Sequence, residues 1–225
     1  MSRARLIPVR EPQNPEAIVI VLHGGASRRD NPMVSPTQLS VLRMVPIARR
    51  IARAGRDRIA VARLLNSTRG WDTRHTPVDD VHWAIDLLHE QYPRQPPIGL
   101  VGHSLGGRAA LLAATRPEVR SVVALNPWVY PSDGGADLTG RRVLVAHGTR
   151  DRIALPSRAE SAARRVGRTA DVTYVRVEGG KHAMLRRHGT FDRLAAEFAT
   201  STLLDDVEPG RLLSHALSTP SPVTL

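Results

Sequence analysis

Apolar residues fall into two kinds of run along this chain. Short continuous stretches stand at 18–22 (IVIVL), 59–65 (IAVARLL), 98–101 (IGLV), 122–125 (VVAL) and 143–146 (VLVA). Continuous rather than alternating runs of this length predict strands buried on both faces. Residues 172–177 alternate apolar with polar and predict a last strand, while 7–10 predict a short edge strand. Between them the period changes to that of a helix. Leu39, Leu42, Ile47 and Ile51 predict a helix over 38–54 interrupted by Pro46. Val81, Ile85 and Leu88 predict another, with Thr76 as N-cap and Pro77 at the first helical position. Helical stretches at 108–115, 157–166 and 191–203 complete the set. Such alternation implies a largely parallel sheet covered by helices on both faces. At 225 residues one α/β domain is expected, over 1–205, able to bury a substantial core. Residues 206–225 hold Pro209, Pro220 and Pro222 with scattered Ser and Thr, and predict a loosely held tail.

Chemistry enters at the junction of the strand 98–101 with the helix after it. Gly102-His103-Ser104-Leu105-Gly106 fits Gly-x-Ser-x-Gly, the strand-to-helix turn that holds a serine in strained backbone with its hydroxyl exposed. Glycines flank the serine because a side chain there would collide with the neighbouring strand and helix. A serine hydroxyl is a poor nucleophile and needs a base, which in turn needs a carboxylate to orient it. Asp151 follows the strand 143–146, and His182 follows the strand 172–177 in the glycine-rich loop Glu178-Gly179-Gly180-Lys181-His182. Ser104, Asp151 and His182 thus each come just after a strand, the edge where ligands bind in open α/β sheets. Asp151 lies too far upstream of Pro156 to be the N-cap of the helix there; Asp133 and Asp137 are the fallback acids.

A tetrahedral intermediate also requires hydrogen-bond donors at its oxyanion. The amide of Leu105 is one candidate, and the early loop His23-Gly24-Gly25-Ala26 supplies the other, with Gly25 or Ala26 favoured over Gly24. His23, His103, Trp128 and Arg28 are candidates for the substrate pocket; no proton chemistry is assigned to His103 or His147, and Trp128 reads equally well as core. Residues 27–38 are the candidate mobile rim, where Arg28 and Arg29 could receive an anionic substrate.

In the pieces LHGGA, GHSLGG, HGTRD and GGKHAML, taken in that order, the chain resembles the α/β-hydrolase family over residues 17–204. Arg69-Gly70-Trp71-Asp72 looks like the loop after that family's fourth strand. The resemblance implies an α/β-hydrolase fold and a serine hydrolase cleaving carboxylic esters through an acyl-enzyme intermediate. Only 17 residues, 126–142, separate the strands between which the family commonly inserts a cap, and they are rich in Pro, Gly and Asp. The chain therefore looks cap-less, similar to the dienelactone hydrolase, small carboxylesterase and acyl-protein thioesterase branches. Thioester, lactone, acyltransferase and cofactor-free peroxidation chemistry share the machinery, and a non-catalytic small-ligand-binding module is the alternative outside catalysis.

Charge adds a competing reading. The net charge is +11, and every basic residue but Lys181 is arginine. The arginines are scattered over expected helix surfaces and turns, without aromatic interleaving, which favours a solvated surface over a nucleic-acid partner. No apolar run approaches the roughly 20 residues that cross a bilayer, and the basic residues 1–10 are not followed by a signal peptide's apolar stretch. With no cysteine there is no disulfide framework. The expectation is a cytoplasmic protein acting on a small-molecule ester or related acyl compound, without cofactor, metal, nucleic-acid or membrane partner. Its oligomeric state is left open.

Overall fold

The computed structural model describes residues 3–26 and 34–225. Among the described residues eight strands form one sheet: β1 (Arg5–Arg10), β2 (Ala17–Leu22), β3 (Ile59–Leu65), β4 (Ile98–His103), β5 (Val119–Leu125), β6 (Arg142–Gly148), β7 (Asp171–Val177) and β8 (Val223–Thr224). Their order is β1-β3-β2-β4-β5-β6-β7-β8. Only β1 runs antiparallel to its neighbour β3; every other pairing is parallel. β2 and β4 are wholly buried, as their unbroken apolar runs require.

Seven helices of the described residues cover the sheet: α1 (Leu39–Leu42), α2 (Met44–Ala54), α3 (Thr76–Gln91), α4 (Leu105–Ala113), α5 (Pro156–Val166), α6 (His188–Leu203) and α7 (Arg211–Ser218). Each strand sorts its residues by parity. Ile18, Ile20 and Leu22 join a core built with α3, α4 and α5, while Ala17, Val19 and Val21 join one built with α2, α6 and α7. This is the helix-sheet-helix sandwich expected for the alternating pattern. From β2 the chain runs outward to β3, and from β4 it runs the other way to β5, β6 and β7. The crevice for a ligand therefore opens at the carboxyl ends of β2 and β4, where the strand order reverses.

Several boundaries differ from expectation. The helix expected over 38–54 breaks at Arg43, and Pro46 lies inside the first turn of α2, where a missing N–H costs nothing. Thr76 is already helical: the cap is the carboxylate of Asp72, which accepts from the Thr76 N–H (2.9 Å) and from its hydroxyl. Between β5 and β6 stands only a 3-10 turn, Pro131–Gly135, with no inserted domain. The expectation of a loosely held tail over 206–225 is corrected. Glu197 on α6 accepts the Leu213 N–H at 2.8 Å in the first turn of α7, and Leu213 and Ala216 are buried in the core beneath. Val223 then pairs with Val175, and the Leu225 carbonyl accepts from the Glu178 N–H at 2.7 Å. Proline content suggested looseness, but three buried side chains and a sheet edge hold the segment. No helix among the described residues is long and apolar enough to cross a membrane.

Candidate active site

β4 ends at His103, and Ser104 follows at φ 56°, ψ −119° before α4 begins at Leu105. A non-glycine residue at such angles is strained by about 1–3 kcal/mol and is held there by its surroundings. Two glycines make the turn possible. A Cβ on Gly102 would lie 2.1 Å from the Gly106 carbonyl oxygen, and one on Gly106 would lie 2.6 Å from the carbonyl oxygens of Leu22 and His23. The Ser104 N–H donates to the Leu125 carbonyl (3.0 Å), and the Ser104 carbonyl accepts from the Trp128 N–H (3.0 Å).

The structure brings Asp151 and His182 to this serine. His182 Nε2 lies 3.0 Å from Ser104 Oγ, and its Nδ1 lies 2.8 Å from Asp151 Oδ2. Asp151 Oδ1 accepts the N–H groups of Ile153 (2.8 Å) and Ala154 (3.0 Å). His147 Nε2 adds a contact at 3.3 Å to Oδ2 while facing the Ala154 carbonyl at 3.0 Å. Burial alone would raise the pKa of Asp151, but the bonds from His147, His182 and the Ile153 amide outweigh it and hold the carboxyl well below the usual range. With a fixed carboxylate at Nδ1, the neutral imidazole keeps its proton there and turns a lone pair toward the serine.

Asn126 and His103 secure the histidine loop. The amide of Asn126 donates to the carbonyls of Lys181 and His182 (both 3.0 Å), and its Oδ1 accepts the Gly148 N–H at 2.8 Å. His103 Nε2 donates to the same His182 carbonyl at 2.8 Å. Burial, seconded by the repulsion a protonated His182 would add, pushes the His103 imidazole down to about 3, so this ring stays neutral. One asparagine therefore ties together the ends of β5 and β6 and the loop after β7. Its sequence signal was an Asn-Pro step directly after a buried strand.

On the other side, Gly24 lets the early loop lie against the serine: a Cβ there would sit 2.9 Å from Ser104 Cβ and 3.0 Å from the His103 carbonyl oxygen. Gly25 (φ 143°) and Ala26, the two favoured oxyanion donors, line a cavity of about 880 Å³ together with Ser104, Leu105 and His182. His103 and Trp128, two of the pocket candidates, line it too, whereas His23 does not. The His23 ring is turned inward, its Nδ1 at 2.7 Å from the Gly24 carbonyl and its Nε2 accepting the Asn66 N–H at 3.2 Å. Burial pushes its pKa down. It shapes the loop rather than the pocket. Arg28, the remaining pocket candidate, and Arg29 lie outside the described residues.

Neither fallback acid is near the histidine. Asp133 takes a two-pronged bond from Arg108, and Asp137 accepts from the amide and hydroxyl of Thr139. Most of the cavity wall was not foreseen: Leu39, Leu42, Arg43, Trp71, Arg108, Tyr130, Ile153 and Leu185. Two of them carried a signal: Trp71 in the loop after β3, and Arg108, four residues after Ser104 and so one helical turn along.

A family model described as the alpha/beta hydrolase family matches residues 83–196. With that match over half its length, the chain belongs to the alpha/beta hydrolase family. Among solved structures, Est1E from Butyrivibrio proteoclasticus is 16% identical with a TM-score of 0.64, covering 88% of this chain and 93% of its own. XC6422 from Xanthomonas campestris, a member of the α/β serine hydrolases without lid, is 18% identical with a TM-score of 0.64 over 89% of each chain. A truncated carbohydrate esterase from gut microbiota is 14% identical with a TM-score of 0.64 over 90% of each chain. These likenesses show a shared fold. No curated protein matches the chain in sequence.

Proposed function

We propose that this protein is a serine hydrolase that cleaves carboxylic esters through an acyl-enzyme. The observation that carries the reading is the continuous chain from Ser104 Oγ through His182 to Asp151 at one end of the cavity. Ser104 Oγ attacks the ester carbonyl carbon while its proton passes to His182 Nε2. Asp151, held ionised, stabilises the imidazolium through Nδ1–H. The oxyanion is received by the Leu105 amide at the start of α4 and by the amide of Gly25 or Ala26. His182 then protonates the departing alcohol, and water repeats the cycle to free the acid and restore the serine. The carbonyl bond network around Asn126 and His103 keeps Nε2 within reach of Oγ throughout.

Thioesters and lactones would meet the same groups, and the wall of the cavity chooses among them. The test is a fluorophosphonate probe on the wild type beside Ser104→Ala, read by intact mass. One adduct on the wild type and none on the variant is the expected result, with p-nitrophenyl ester turnover lost in step. Labelling that survives in Ser104→Ala, or a well-folded wild type that takes no label, overturns the reading.

A further inference from the structure

Among the described residues two arginines, Arg43 and Arg108, stand in the cavity wall of a strongly basic chain, which invites the idea of an anionic substrate. Their bonding argues the opposite. Arg108 presents Nε and an amino nitrogen to the two carboxylate oxygens of Asp133 at 2.8 and 3.0 Å, with both side chains about nine-tenths buried. Its guanidinium carbon also lies 4.2 Å from the Trp71 ring centroid and 5.0 Å from that of Tyr130, so aromatic rings pack close against it. Arg43 pairs with Asp192 at 2.8 Å, again with both partners buried; one N–H, at Nε, is left unpartnered, but the pair has no net charge. Each cation thus meets its own carboxylate in low dielectric, where an ion pair presents a dipole rather than a free charge.

Away from the candidate triad, much of the wall is apolar and, among the described residues, exposed. Of the eight large hydrophobic residues that stand most exposed among the described residues, Leu39, Leu42, Tyr130, Ile153 and Leu185 all line this cavity; Leu39 is 84% and Leu185 74% exposed. Exposed apolar residues scattered singly need no explanation, but five gathered at one opening mark a binding surface. The cavity, about 880 Å³, is near the upper end of the usual 300–1,000 Å³ for small-molecule sites, far more than an ester group alone requires.

Resting on the serine-hydrolase reading, we propose that the site selects uncharged esters carrying a bulky aliphatic or aromatic group. Asp133 is then a positioning residue for specificity: by neutralising Arg108 it keeps the aromatic wall indifferent to charge. For the wild type, kcat/KM should rise at least tenfold from p-nitrophenyl butanoate to octanoate, because each added methylene buries more apolar surface. The pentanoate and hemisuccinate esters match in length and differ by a terminal carboxylate; the pentanoate should be cleaved at least tenfold better. In Asp133→Asn the hemisuccinate-to-pentanoate ratio should rise at least fivefold, and the rise should shrink with added salt. A merely structural loss would lower both esters together.

Binding to Ser104→Ala separates specificity from chemistry. Methyl octanoate should change tryptophan fluorescence at concentrations at least tenfold below monomethyl suberate, which differs by its terminal carboxylate. A wild type that labels with fluorophosphonate but prefers hemisuccinate, or ignores chain length, overturns the specificity and leaves the hydrolase standing. A wild type that takes no label while the variant still prefers octanoate overturns the hydrolase and leaves the apolar site. If Asp133→Asn does not fold, the wild-type ester pair and the Ser104→Ala titration decide alone.

Discussion

His103 and Ser104 are consecutive residues with opposite tasks. The serine turns its hydroxyl to the cavity, while the imidazole before it is enclosed and lends its Nε2 proton to the His182 carbonyl. The neutral ring makes the fold sensitive to acid. In the unfolded chain an ordinary histidine takes up a proton near pH 6.5, whereas His103 resists until about 3. Between those values the unfolded state binds more protons, so stability falls as pH drops from 6.5, by at most about 1.4 kcal/mol per pH unit from this group. His103→Gln can retain a donor to the carbonyl without titrating. Urea midpoints measured from pH 7 to pH 4 should fall less steeply in that variant; equal slopes would refute the assignment. At this scale the sequence was legible where chemistry is tied to strand ends, which is why Ser104, Asp151 and His182 could be named and do lie together. It was not legible where a role depends on who stands opposite. Asp133 read as a spare acid because nothing local reveals Arg108, 25 residues away, and Asn126 was given no role because its partners lie at the end of β6 and in the loop after β7.

Among elements, the unit of β4, the turn and α4 is the most tightly specified. Gly106 sits where α4 presses on the end of β2, and no side chain there can avoid the backbone carbonyls of Leu22 and His23. Gly106→Ala should therefore destabilise by about 1–3 kcal/mol, the typical cost of overpacking a closed site. It should also reduce fluorophosphonate labelling per folded molecule, since the strained serine is held by that contact. Chemical denaturation together with labelling stoichiometry checks both; unchanged labelling would detach the strain from reactivity. Strand positions were read well because buried parallel strands announce themselves as unbroken apolar runs. Helix starts were read less well, because the Asp72 carboxylate rather than Thr76 caps α3, and the bend at Arg43 rather than Pro46 divides α1 from α2.

For the molecule as a whole, two cores lie back to back across one sheet, and the candidate site stands where the strand order reverses. The last 20 residues belong to this assembly. Leu213→Ala should cost about 2–5 kcal/mol, as for other fully buried leucines, and a change near zero would mean that α7 is only loosely docked. Composition could not reveal this, since the residues that hold the segment, Glu197 and Val175, lie on distant elements. Basic surface and lone lysine also meet in one place. Lys181 is exposed, its carbonyl is gripped by Asn126, and His182 comes next. An amine-directed dye would find here the one lysine side chain of the sequence. Attached to Lys181, the dye would stand beside the histidine loop as an optical gauge of ligand arrival that requires no engineered cysteine.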